Sequence, residues 1–398
     1  MLALTPGATI TELNIAWYAD SDKGSKSEAR LFDANGTYIK TESGASAGSA
    51  STGKRSHKAK LTGLSPNTKY KYSVSNDGLD WSKEYEFSTP PSTGAWRFVA
   101  ISDPQIRLDS VKSHSSWAEI ANKIKATPNV SHITCSGDLV DEMFASGTPN
   151  EREWEILFNP GIFSNIPMAP VKGNHDNGNQ FGYHFNLPNK VNKCSSSNSY
   201  YCDYNYYYLY NNILFVGLNS GTLYEGSSDA NFKAVVDHFS EVISAAKTAH
   251  AGKYDWIIVL HHESTKSVSA HAEDVEIVKY KAQGFETVMS SQGVDVVIAG
   301  HDHVYARTKP INGVVYLTLK AASNYKFYPI IEALATQDFI AKYSKPQSSY
   351  KFDWEGRPSW IQVFEPEYTV IDVNGRTLNF EVCTRTECGG TDKFTLTK

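Results

Sequence analysis

Apolar and polar side chains alternate through residues 1–92: Leu13, Ile15 and Trp17 in one run, Tyr70, Tyr72 and Val74 in another, Tyr85 and Phe87 in a third. A period of two puts such residues on one face of a strand. Turn-forming stretches, Asp33-Ala34-Asn35-Gly36 and Asn76-Asp77-Gly78, separate the runs. Short alternating strands punctuated in this way predict an all-β sandwich. Thr89-Pro90-Pro91-Ser92-Thr93-Gly94 reads as a linker. Beyond it the period changes. Trp117, Ile120 and Ile124 recur at helical spacing, as do Phe232, Val235, Val236, Phe239, Val242 and Ile243. Between them stand short Val- and Ile-rich runs, the pattern of strands buried on both faces. A layered α/β domain over residues 93–398 is expected to follow the 1–92 sandwich. Tyr368 to Lys398 returns to strands around an Asn374-Gly375 turn and is assigned to the sheets of the α/β domain. The Tyr-rich stretch from Tyr200 to Tyr210 reads as a strand packed on an aromatic face.

Five of the buried runs end on residues that bind divalent metals. Arg97–Ile101 leads into Asp103 and Gln105, His132–Cys135 into Gly137-Asp138-Leu139-Val140-Asp141, and Ala169–Val171 into Gly173-Asn174-His175-Asp176. Trp256–Leu260 leads into His261-His262, and Val294–Ile298 into Gly300-His301-Asp302-His303. In open α/β sheets, ligands collect at the carboxyl ends of strands. Five such ends converging on one edge would gather carboxylates, amides and imidazoles into a site for two metals.

A net charge of −5 over 398 residues gives no reason to expect broad nucleic-acid or anionic-membrane binding. No apolar run approaches the ~18 residues of a spanning helix. Met1–Pro6 lacks the basic start and apolar core of a signal peptide. Cys135 lies in a buried run and reads as a core residue, whereas Cys194 with Cys202, and Cys383 with Cys388, bracket short loops. Two short-range disulfides fit these pairs and point to an oxidising compartment. A secreted, periplasmic or cell-surface protein is therefore expected. Neither a Gly-rich phosphate loop nor a Gly-x-Ser-x-Gly elbow is present.

Taken in order, Asp-x-Gln, Gly-Asp-x-x-Asp, Gly-Asn-His-Asp, His-His and Gly-His-x-His resemble the five blocks of the calcineurin-like metallophosphoesterases. The leading sandwich resembles the purple acid phosphatase branch, and its Leu61–Tyr70 stretch a fibronectin type III-like corner. The resemblance implies a four-layered αββα catalytic domain holding two divalent or mixed-valence ions among Mn, Fe, Zn and Co. By the same resemblance Asp138 bridges the ions, and Asp103 and His303 hold the first with Gln105 adjacent. Asn174, His301 and His261 then complete the second, leaving His262 for substrate or supporting contacts. His175 matches the acid that protonates the leaving oxygen, with Asp141 as its carboxylate partner and Asp176 as the alternative. His184 and His271 fall in loops where the family contacts substrate, and Arg307 is placed to support a loop carbonyl.

The implied reaction is in-line attack of a metal-bridging hydroxide on a small-molecule phosphate ester, in a phosphomonoesterase. A phosphodiesterase or nucleotide pyrophosphatase on the same site is the alternative, and a surface binding protein with a decayed site a further one. The N-terminal domain is expected to be a spacer or a docking module for protein or surface contacts. Two residues depart from the purple acid phosphatase pattern. Asp141 stands where that branch has a tyrosine ligand, so the iron–tyrosinate colour should be missing. Gln105 is a neutral donor where the family has Asp-x-His or Asp-x-Gly, which would loosen the first site. Specificity is expected in loops such as 177–205 and 321–350.

Overall fold

The computed structural model describes residues 1–49, 52–141, 151–176, 180–191, 202–220, 223, 226–335, 351–362 and 364–398. The specificity loops expected from the sequence therefore fall partly outside the described residues, as do Cys194 and Tyr200.

The first 88 residues build two four-stranded sheets. Leu2–Pro6, Leu13–Asp20, Lys54–Leu61 and Ala45–Ser49 form one; Tyr38–Ser43, Glu28–Asp33, Lys69–Ser75 and Tyr85–Ser88 form the other. All pairings are antiparallel. Alternation delivers one face of each sheet to a shared core, where Leu13, Ile15 and Trp17 meet Tyr70, Tyr72, Val74 and Phe87. Burying a large apolar side chain stabilises by roughly 1.5–3 kcal/mol, so this layer is enough to hold the sheets together. The Tyr70 hydroxyl accepts from the Ser65 N–H at 2.9 Å and ties the preceding turn to its strand.

Five strands carry the sequence blocks: β1 (Trp96–Ile101), β2 (Val130–Cys135), β3 (Met168–Pro170), β4 (Trp256–Glu263) and β5 (Val296–Gly300). β1, β2 and β3 run parallel in one six-stranded sheet, which Tyr368–Asn374, Thr377–Cys383 and Cys388–Thr397 extend antiparallel. β4 and β5 run parallel at the centre of a second six-stranded sheet. Alternate residues of β4 serve different layers. Ile258 and Leu260 pack toward the first sheet, in a core with Phe98, Ile133 and Phe215. Ile257 and Val259 face the helix Asp229–Ala249 through Phe232, Val235 and Phe239. The helix Val111–Ala126 adds Trp117, Ile120 and Ile124 on the side of the first sheet. The result is helix, sheet, sheet, helix, with every block at the same end of its strand.

The sandwich docks on this body largely through main-chain carbonyls. Thr5 Oγ1 and Asn14 Nδ2 both donate to Asn186 O, at 2.6 and 2.8 Å. Ser56 Oγ donates to Tyr183 O at 2.7 Å, and Lys58 Nζ to Gly182 O at 2.6 Å. Cys383 and Cys388 form a disulfide, Cys202 is disulfide-bonded, and Cys135 is a buried free thiol. Among the described residues no helix is long and apolar enough to cross a membrane.

Candidate metal centre

At the carboxyl ends of β1, β2 and β5 the backbone turns left-handed. Asp103 (φ 49°), Gln105 (37°), Asp138 (49°), His301 (68°) and His303 (49°) all adopt it. Such conformations cost on the order of 1 kcal/mol or more each and persist only where the surroundings hold them. Here the loops hold one another. Asp103 N–H donates to Gly137 O at 3.0 Å and Gln105 N–H to Asp138 O at 2.8 Å. The His301 N–H meets both Asp103 carboxylate oxygens at 3.1 Å. Glycine is required where the loops pass closest: a Cβ on Gly173 would collide with the Asp138 carboxylate, and one on Gly300 with Ser102 and Asp103.

This packing gathers three groups of ligating atoms, one of them His271, Asp274 and His301, and two that share a carboxylate. Those of Asp138, His262 and His301 lie within 4.8 Å of one another, as do those of Asp103, Asp138 and His303. Asp138 belongs to both. Asn174 Oδ1 lies 3.0 Å from His262 Nε2 and 3.1 Å from His301 Nδ1, which brings an amide oxygen into the group of Asp138, His262 and His301. Gln105 donates through Nε2 to Asp141 Oδ1 at 3.1 Å, and its buried Oε1 has no hydrogen-bond partner among the described residues. Carbonyls fix the rings from outside: His262 Nδ1 lies 2.7 Å from Ser136 O and His303 Nδ1 2.8 Å from Lys326 O. A ring nitrogen facing a carbonyl carries the proton, so each Nε2 is the atom turned to the cluster. Carboxylate, amide-oxygen and imidazole donors in two groups sharing one carboxylate fit a pair of divalent ions of the Mn, Fe, Zn or Co kind.

The electrostatics match that donor set. Burial pushes Asp103 up to about 7. Burial also works against the Asp138 charge, but His262 and His175 outweigh it and hold the carboxyl well below the usual range. His262 is the mirror case: burial lowers it, while Asp138 beside it raises it well above an ordinary histidine. A metal ion competes with that proton for the same nitrogen. Burial takes His301 down to about 3, leaving the ring neutral.

The paired histidines depart from the places expected of them. His262, set aside for substrate, is the one in the cluster; its Nε2 lies 3.3 Å from Asp138 Oδ2. His261, expected as the ligand, points the other way, among Phe239, Tyr280 and Phe285. The reason is the pleat. Ile257, Val259 and His261 share the helix-facing side of β4, and Ile258, Leu260 and His262 the side facing the first sheet, where Asp138 lies. Strand period alone separates the two rings without saying which one meets the cluster.

His175 Nδ1 lies 2.8 Å from Asp141 Oδ1, though off the line of a well-formed hydrogen bond. Burial lowers His175, yet Asp138 and Asp141 raise it on balance above its ordinary value. Asp176, the other carboxylate considered for that role, is used up as a backbone brace. Its oxygens accept from the N–H groups of Leu139, Val140 and Gly173 at 2.9, 3.2 and 2.9 Å. His184 is away from the cluster, buried at the sandwich junction, 3.1 Å from Glu151 Oε2 and edge-on to Tyr18. His271 does reach the site: its ring centroid is 4.3 Å from that of His301, and its Nδ1 lies 2.6 Å from Asp274 Oδ2. Arg307 pairs instead with Asp392, at 2.7 Å. A cleft of about 240 Å³ opens over the cluster, lined by Gln105, Asp138, Asp141, Asn174, His175, His271, His301 and His303. Asp274, Glu276, Tyr325 and Lys326 complete its wall, and no spacing in the sequence had singled them out.

Known proteins share this architecture. Residues 2–89 match the purple acid phosphatase N-terminal domain, and residues 97–305 the calcineurin-like phosphoesterase domain. Purple acid phosphatase 13 of Arabidopsis thaliana is 24% identical over 319 residues, 67% of this chain and 54% of that protein. "Probable inactive purple acid phosphatase 1" of the same plant is 25% identical over 309 residues, 68% of this chain and 46% of its own length. The chain thus spans about half the length of these curated relatives. The purple acid phosphatase PPD1 from yellow lupin (Lupinus luteus) seeds superposes with a TM-score of 0.73 at 16% identity, over 100% of this chain and 74% of that one, a likeness of fold. With the phosphoesterase match running from residue 97 to 305 of 398, the chain belongs to the calcineurin-like phosphoesterase family.

Proposed function

We propose that the protein is a phosphomonoesterase dependent on two divalent metal ions, with a sandwich of residues 1–92 ahead of a catalytic domain of 93–398 that acts on a small-molecule phosphate ester. The observation that carries the reading is the arrangement itself: two ligand groups sharing Asp138, with the His175–Asp141 pair beside them in one cleft. Ions bound there would offset phosphoryl charge and activate water for in-line attack. Asp103, Asp138 and His303, with Gln105 in the same cleft, would hold one; Asp138, Asn174, His262 and His301 the other.

The remaining roles belong to side chains. Asp141 holds His175 through Nδ1 and leaves Nε2 to face the leaving oxygen. Asp138 and Asp141 keep a proton on that ring above the pH at which a free histidine loses it, as an acid needs. His271, steadied by Asp274, is a second donor for phosphoryl oxygens. The bonded Cys383–Cys388 pair supports export to an oxidising compartment. Hydrolysis of p-nitrophenyl phosphate beside bis-p-nitrophenyl phosphate, with manganese and after chelation, tests the reading. Chelator-sensitive turnover that favours the monoester is expected; preference for the diester would make the protein a phosphodiesterase, and no turnover of either would overturn the hydrolase.

A further inference from the structure

Two polar side chains at the mouth of the cleft have no part in the roles above. Tyr325 and Lys326 line it beside His175 and His303. Arg107 Nη1 donates to the Tyr325 hydroxyl at 2.6 Å. A guanidinium has no acceptor, so the phenol oxygen accepts there and its own proton is free to donate elsewhere. Arg107 is itself fixed by Asp109, Nε to Oδ1 at 2.7 Å, and lies 3.7 Å from Asp141 Oδ2. The hydroxyl therefore stands on the side of the cleft that holds the His175–Asp141 pair.

Lys326 is anchored by its own backbone, whose carbonyl faces His303 Nδ1 at 2.8 Å. Its ammonium lies 4.9 Å from the centroid of the Tyr328 ring, and no carboxylate among the described residues forms an ion pair with it. Asp274 and Glu276 also line the cleft, and Lys326 supplies the lysine of that lining to set against their charge.

We infer that Tyr325 and Lys326 form an anion clamp that takes the non-bridging phosphoryl oxygens turned away from the metal ligands and makes the site prefer a dianionic monoester to a monoanionic diester. The inference rests on the phosphoesterase reading. A phosphate monoester carries close to two negative charges near neutral pH because its second ionisation lies near pH 6. A diester carries one charge, and its second substituent occupies an oxygen the clamp would bind. An ammonium and a hydroxyl donor on that oxygen reward the monoester alone.

The test measures binding and turnover on the full chain with manganese. Binding of inorganic phosphate and of dimethyl phosphate is followed by calorimetry, and hydrolysis with the two p-nitrophenyl esters. Lys326→Gln is expected to weaken inorganic phosphate by about tenfold or more while dimethyl phosphate stays within about twofold. Tyr325→Phe should shift the same ratio in the same direction, and Lys326→Arg should restore it. Metal content is measured in each variant, since the Lys326 carbonyl that holds His303 is unchanged by substitution. If Lys326→Gln and Tyr325→Phe bind phosphate as the parent does while the parent cleaves esters, the clamp is wrong and the hydrolase stands. If the parent cleaves neither ester but binds phosphate through Lys326, the clamp stands and the hydrolase falls. A parent that neither binds phosphate nor cleaves overturns both.

Discussion

The sandwich and the metal centre handle backbone and charge in opposite ways. In the sandwich the left-handed non-glycine residue among those described is Asn67, a type that tolerates the conformation. Its core is apolar, and its alternation runs uninterrupted from Leu13 to Trp17. In the centre, Asp103, Gln105, Asp138, His301 and His303 are all left-handed, and Asp103 and Asp138 are buried carboxyl groups of one ligand cluster. A sandwich of this kind is complete in itself. The centre is complete only with cations, because buried carboxylates are costly unless paired. Perturbations should therefore separate the two regions cleanly.

The sharpest separation comes from Asp138→Asn. Removing the shared ligand should cost about 1,000-fold or more in ester hydrolysis and empty the site of metal, while the urea transition of the sandwich stays where it was. Metal content by mass spectrometry and a denaturation curve followed by hydrogen exchange at the sandwich strands would check both halves. The converse change is Trp17→Ala, a large-to-small substitution in a sealed core. It should remove about 3–5 kcal/mol from the sandwich, with bound metal unchanged at 25 °C; loss of metal would mean that the regions are coupled.

A finer contrast lies within β4. His262→Ala should weaken metal binding by at least about tenfold, whereas His261→Leu should keep the metal and change stability by less than about 1.5 kcal/mol. The reverse result would return His261 to the ligand set. The smallest expected effect is in acid. His57, buried beside Trp17 with Arg55 near, is pulled down to about 4. Its folded pKa is below the unfolded value near 6.5, so the stability it contributes is full above pH 6.5 and fades as pH falls toward 4. Discounted for relaxation of the surroundings when the ring is charged, that is about 1–2 kcal/mol. His57→Phe should flatten the melting temperature of the sandwich over this window.

The sequence was most legible where one rule acted alone. Period two located the sandwich strands, and helical spacing located Val111–Ala126 and Asp229–Ala249. The five block strands came from β-branched runs ending on ligand residues, and all five exist. The centre was legible as a set of residue types but less so as a geometry. Adjacent histidines differ only by the face of the pleat: block position points to His261, and period two says that one ring alone can reach the site, but β4 is buried on both faces and the count does not say which. Asp176 shows a second limit: nothing in Gly-Asn-His-Asp says whether its carboxylate meets a ring or three backbone N–H groups. His184 was drawn toward the site by its place in a loop and is instead held by Glu151 and Tyr18 at a domain junction. Tyr325 and Lys326 fall in the 321–350 loop where specificity is expected, but a loop with no periodic signal does not say which of its residues line the cleft.

The junction between the domains has a consequence for how such proteins can diverge. Thr5, Asn14, Ser56 and Lys58 grip the 182–186 segment through its carbonyls. Every amino acid supplies a carbonyl. The sandwich therefore follows the path of that segment at Gly182 and Tyr183, but it also reads its spelling: the Asn186 side chain donates to Ile15 O and Ala59 O, and Tyr183 and His184 pack on Tyr18, so these letters keep the two domains in register.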